Sequence, residues 1–212
     1  MEIYNSEQEQ VEALKAWWDK NGRMTIAAIV VALLAVLGWK GWVQSQNQRA
    51  EGASIQYQQM LDALEANPGQ AMELGRAIVG EYPSSLYAVL ASMAMAKAAV
   101  QQQDLDAAAA HLRLAMEQAG QEDIQQLARL RLASVLYAQG KGDEALALLA
   151  KEAAPSFRGS YAELRGDILL SQGKTDAARD AYSNALAGYS DAPEKRNLAQ
   201  MKLDDLAENK TE

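Results

Sequence analysis

The chain reads as an all-α protein, with a single N-terminal transmembrane helix followed by an α-solenoid of antiparallel helix pairs. Three observations carry that expectation. Met24–Trp39 (MTIAAIVVALLAVLGW) is an uncharged, apolar run. From Gln44 onward the chain is rich in Ala and Leu with almost no β-branched runs, and Pro68, Pro83, Pro155 and Pro193 fall between helical patterns or at their ends. Small residues also recur there in one frame at steps of about 33–37 residues, the period of stacked helix pairs. Three segments follow: a cytoplasmic amphipathic head, 1–23; a span, 24–43; and a repeat domain, 44–212.

In the head, Ser6-Glu7-Gln8-Glu9 has the capping-box pattern, and Val11, Leu14, Trp17 and Trp18 share one helical stripe. Asn21-Gly22 supplies a stop, so a short amphipathic helix is expected to end there. Such a helix can lie on the inner leaflet with its tryptophans in the interface, or dock a cytosolic partner. Its acidic balance disfavours strong attraction to anionic lipid.

Extended to Val43, the apolar run has roughly twenty residues, which at about 1.5 Å per residue cross a hydrocarbon core of about 30 Å. Its Ile, Val and Leu side chains favour insertion by about 3–5 kcal/mol together. Lys40 would cost about 2.5–3.5 kcal/mol at the bilayer centre, but near the end it can snorkel beside Trp39 and Trp42. The long acidic lead-in and the absence of a small-x-small site after Val43 predict an anchor rather than a cleaved signal peptide. Lys15, Lys20 and Arg23 before the span, against Lys40 and Arg49 after it, favour the N-terminus inside only slightly. The chain has no cysteine, so no disulfide bears on compartment.

In the body, Tyr82-Pro83-Ser84-Ser85 marks a turn and a new N-cap, and a helix pair is expected from Ser54 to Gly80, turning at Asn67-Pro68-Gly69. Gly166, Leu169, Gly173, Ala178, Tyr182 and Ala185 stand at the spacing of the tetratricopeptide repeat. Gly166 admits close approach of the pair, Gly173 closes its first helix, Ala178 sits at the tightest contact, and Tyr182 fills the space beside it. Ala133, Leu136, Gly140, Ala145 and Leu149 repeat the frame, except that Glu152 takes the second small position. Ala96, Ala99, Ala108, Leu112 and Ala115 repeat it without the glycine. Glu194–Glu208 reads as a closing helix, with Leu198, Met201 and Leu206 inward and Lys195, Arg196, Lys202, Asp204 and Asp205 outward. A four-helix bundle is the competing architecture.

No catalytic constellation is visible. His111, the one histidine, is expected to face solvent, and alone it makes no zinc set. Glu122-Asp123 and Asp204-Asp205 read as solvated helix ends, and no phosphate loop or nucleophile motif is present. Neither a cofactor nor a metal is expected. The chain carries a formal charge of −8, about −7 of it beyond the span, with dispersed cations that disfavour nucleic acid.

What remains is a binding surface. First helices of stacked pairs line a concave face. Projection of the frame places Leu90, Met93 and Lys97 there, then Leu127, Leu130, Ser134 and Tyr137, then Glu163, Asp167 and Leu170. The first two sets are unusually apolar. They form either a groove for an apolar peptide or partner helix, or a surface covered by the preceding helix pair. If the groove is free, charging Leu130 and Tyr137 should abolish capture without unfolding.

The opening MEIYNSEQEQVEALKAWWDKNGR, the span ending Gly38-Trp39-Lys40-Gly41-Trp42 and the body motif LRGDILLSQGKTDAARDAY together resemble the ancillary SecYEG translocon subunit family (YfgM-like proteins) of Gram-negative bacteria. The resemblance covers essentially the whole chain. It implies an inner-membrane protein with a cytoplasmic N-terminus and a periplasmic repeat domain. The implied partners are the SecYEG translocon, a PpiD-type membrane-anchored periplasmic chaperone of the prolyl-isomerase kind, and unfolded client chains. The implied role is to pass newly translocated proteins to periplasmic chaperones. The alternatives are a structural scaffold for envelope protein assembly, or restraint of a stress-response regulator by the cytosolic head. The resemblance carries no catalytic residue onto this sequence.

Overall fold

Nine α-helices and one 3-10 turn make up the described part of the chain, residues 6–189 and 192–208 of a computed structural model. The side chains of residues 6–9, 65, 207 and 208 also lie outside that description, and with them the expected capping box. The helices are α1 (Ser6–Ala66), α2 (Pro68–Glu81), α3 (Leu86–Gln101), α4 (Leu105–Gln118), α5 (Glu122–Ala138), α6 (Gly142–Leu149), α7 (Arg158–Ser171), α8 (Thr175–Gly188) and α9 (Pro193–Glu208). The chain divides into two compact units, Met1–Arg49 and Ala50–Glu212.

The first unit corrects the expected stop at Asn21-Gly22, because α1 runs through it unbroken. Asn21 Nδ2 donates to the Trp17 carbonyl at 3.1 Å and Thr25 Oγ1 to the Asn21 carbonyl at 3.0 Å, both four residues back along the helix. A polar side chain that bonds backward supports continuation rather than a cap. Gly22 lies beneath the Trp18 ring, where a Cβ would come within 3.1 Å. Ile26, Val30, Leu33, Leu34 and Leu37 are all exposed. The apolar stretch of this helix has no buried residue among those described and is long enough to cross a membrane, and lipid would cover what water would not.

The second unit is a stack of helix pairs. Its first pair is the end of α1 with α2, which share a core through Met60, Ala63, Ala71 and Ile78, followed by α3/α4, α5/α6 and α7/α8, and α9 closes the stack. Capping side chains start several helices: Asn67 accepts from Gln70 N, Ser85 from Ala88 N and Asp104 from Ala107 N, each satisfying a backbone donor the helix leaves unpaired. The core is mainly alanine, with Ala108, Ala145, Ala178 and Ala185 fully buried at the pair contacts, so backbones approach closely.

The three repeat turns are the same Schellman structure. Gly140 (φ +76°) and Gly173 (φ +73°) end α5 and α7 in the left-handed region. In each, the next amide reaches back, Lys141 N to Leu136 O and Lys174 N to Leu169 O, both at 2.9 Å. The frame that lacks the glycine makes the same turn with Gln103 at φ +62°, and Asp104 N bonds Ala99 O at 2.9 Å. A side chain there carries the left-handed penalty that glycine escapes. Gln103→Gly is therefore expected to stabilise the domain by about 0.5–1 kcal/mol, read as a higher urea midpoint at unchanged slope.

Glu152 has a structural explanation. α6 stops at Leu149, and Pro155 opens the 3-10 turn Pro155–Phe157, so the second small position falls beyond the helix. No neighbour needs a small residue there. The Glu152 carbonyl instead accepts from Gln126 Nε2 at 3.3 Å.

α9 corrects the expected closing face. Leu198 and Met201 are 48% and 63% exposed, whereas Ala199 and Leu206 are buried and Leu203 packs beside them. Lys202, expected outward, points into the stack.

Candidate protein-binding groove

α3 and α5 are the first helices of adjacent pairs, and a groove of about 440 Å³ opens between them. Met93, Ala96 and Val100 from α3, Leu112 from α4 and Val135 from α5 line it with apolar surface. Lys97 and Arg131 stand exposed at its rim with Ser134. Ser134 Oγ is engaged locally, donating to the Leu130 carbonyl at 3.1 Å.

The ten residues projected from sequence therefore separate into three groups. Met93, Lys97 and Ser134 line the groove, and Leu90 is half-buried nearby in sequence on α3. Leu127, Leu130 and Tyr137 are half-buried against the central core cluster. Charging Leu130 and Tyr137 is therefore expected to disturb the fold and not only the capture of a partner, the second of the two readings of this face. Glu163 and Asp167 form the third group. The Lys202 ammonium lies 2.9 Å from Glu163 Oε1 and 2.8 Å from Asp167 Oδ1, so α9 covers the part of the face expected to be open. Leu170, one turn on, remains exposed.

Two tyrosines complete that closure. Tyr182 donates to Asp167 Oδ1 at 2.8 Å and Tyr189 to Glu163 Oε2 at 2.6 Å. Burial first, then these carboxylates, push both phenols well above their ordinary range. Burial alone would lower the Lys202 ammonium, but the hydrogen bonds and charges of Asp167 and Glu163 outweigh it and raise its pKa. The cluster is an internal clamp holding α7, α8 and α9 together.

Arg129 is a buried cation that the repeat frame does not announce. It is 8% exposed, and its guanidinium donates to Gln126 Oε1 and Gln125 Oε1 at 3.4 and 3.3 Å. Gln126 is in turn 2.6 Å from the Tyr161 hydroxyl. Its one signal in the sequence is a charge at helical spacing between core positions Ala128 and Leu132. His111 is also corrected: it is half-buried, and burial together with Arg76 lowers its pKa while Asp104 partly offsets them. Among the described residues no cluster of His, Cys, Asp and Glu could hold a metal.

The tetratricopeptide repeat-like domain family matches residues 15–208. The chain is similar to the "Ancillary SecYEG translocon subunit" of Haemophilus influenzae, at 31% identity over 96% of this chain and 99% of that protein. The same named protein of Aggregatibacter actinomycetemcomitans is 32% identical, covering 94% and 97%. That of Escherichia coli is 30% identical, covering 98% and 100%. The chain belongs to this family of ancillary SecYEG translocon subunits with a tetratricopeptide repeat-like domain.

Proposed function

We propose that this family member is a membrane-anchored adaptor of the Sec translocon, helping to pass newly translocated proteins to periplasmic chaperones. In this reading α1 spans the inner membrane with its N-terminus in the cytoplasm, and the repeat domain works in the periplasm. A PpiD-type chaperone and unfolded clients are its partners beside SecYEG. The groove between α3 and α5 carries the reading, because it is an open apolar surface framed by the first helices of two adjacent pairs. The names of near-full-length relatives supply the translocon. Tethering supports the role physically: it raises effective concentration where chains emerge, so a modest groove affinity suffices without catalysis.

Photocrosslinkers at Lys97 and Ser134, both exposed on the groove, test this in intact membranes. Adducts with SecYEG subunits or the chaperone are expected from these positions and not from Arg113, exposed on α4. Protease added outside spheroplasts should digest the adduct-bearing domain. Adducts from Arg113 alone, or a domain protected until lysis, would overturn the reading.

A further inference from the structure

The geometry of the groove points to the chemistry of its occupant: an acidic, amphipathic segment of a partner protein, with one large apolar side chain between flanking carboxylates. This rests on the adaptor reading above and specifies what that adaptor grips.

Three observations carry it. The floor is apolar and deep, with Met93 at 5%, Leu112 at 2% and Val135 at 7% exposure. A volume of about 440 Å³ is at the small end of ligand sites and suits a side-chain anchor rather than a folded surface. Second, the two rim charges are both positive. Lys97 and Arg131 are exposed and make no ion pair among the described residues, and they are the two charged residues lining the groove. Third, these cations stand on a body of net charge about −7. An acidic segment is repelled by most of that surface, so two unpaired cations beside an apolar floor single out one landing place. The internal clamp sharpens the contrast, because Lys202 offsets one of the two negative charges of Glu163 and Asp167 on the next repeat and holds both carboxylates in place. Those carboxylates are not free to compete for the rim cations.

An apolar anchor without acids would gain the floor but not the rim, and a basic segment would lose the rim outright. Adjacent apolar surface lowers the local dielectric, so each carboxylate–cation contact is stronger than one on an open helix. Recognition should therefore depend on both parts together, and should weaken with salt.

The test uses the full chain in detergent and three fluorescein-labelled nine-residue peptides: a central leucine flanked by glutamates, the same leucine flanked by lysines, and a central serine flanked by glutamates. By anisotropy, the Glu–Leu peptide should bind about tenfold more tightly than either other, and should weaken on going from low to physiological salt. Lys97→Glu with Arg131→Glu alters exposed positions only, and circular dichroism should show unchanged helicity. That variant should lose the Glu–Leu peptide and gain the Lys-flanked one. Equal binding of the Glu- and Lys-flanked peptides, or no exchange of preference in the variant, would overturn the assignment. Groove crosslinks to SecYEG or the chaperone alongside that result would leave the adaptor reading standing, so the two fail separately.

Discussion

Replacing Gly166 with leucine is expected to cost the repeat domain about 3 kcal/mol or more. A Cβ at this position would lie 2.6 Å from Tyr182 Cδ1 and 2.9 Å from Cζ, inside the distance any real Cβ keeps. The ring cannot yield. Tyr182 is 1% exposed, its hydroxyl bonds Asp167 Oδ1 at 2.8 Å, and the Lys202 ammonium sits 5.7 Å from its centroid. Even Gly166→Ala should destabilise measurably, and the leucine side chain would force α7 and α8 apart. Two controls make the expectation specific. A Cβ at Gly80 would meet no neighbour within 4 Å, so Gly80→Ala should be neutral or stabilise by up to about 1 kcal/mol. In a Tyr182→Leu background, Gly166→Ala should become nearly neutral, because the clash partner is gone. Urea unfolding followed by helicity reads each of these proteins, and additive losses in the double variant would sink the close-contact explanation.

The same residues show why the helix pairs were legible. Gly166, Gly173, Ala178 and Tyr182 each meet a steric demand that few other residues satisfy, so their spacing announces the turn and the contact. Gln103 shows that the turn can form without its glycine, which is why two strong signals outweighed one missing letter. Legibility fell where local chemistry has two outcomes. Asn21 can cap a helix or bond backward inside one, and only the surrounding helix decides. On α9 two of the three large apolar residues misled: Leu206 is inward as expected, with Ala199, Lys202 and Leu203, while Leu198 and Met201 face out. A short polar helix gives its leucines little authority. The clamp was nonetheless encoded, since Glu163 and Asp167 lie one turn apart on α7 and need a cation. For the groove, projection of the repeat frame reaches Lys97 and Ser134. Arg131, three residues before Ser134 and four after Leu127, lies beside that face but at none of the repeat-frame positions that were projected.

Lys202→Met should cost about 2 kcal/mol at neutral pH, between the worth of an exposed ion pair and the loss on breaking a buried one. The intermediate value follows from the exposures of Lys202, Glu163 and Asp167 side chains, 28%, 16% and 31%. The loss comes less from the attraction removed than from two carboxylates left facing each other with reduced solvent. Adding Glu163→Gln and Asp167→Asn should therefore recover much of it, because both amides still accept from Tyr189 and Tyr182. Hydrogen exchange should accelerate first in α9 and the end of α8. Alkaline titration of the unaltered protein gives an independent readout. Lys202, Tyr182 and Tyr189 all have raised folded-state pKa values, so the folded chain holds protons that the unfolded chain releases near pH 10. Their contribution is complete below that point and is lost as pH climbs through the folded-state values. Stability should stay level from neutral pH to about 9.5 and then fall, with the α8–α9 end loosening before α3–α5. Uniform loosening of every helix pair, or full loss of stability in the triple variant, would show that the clamp does not hold the closing helix.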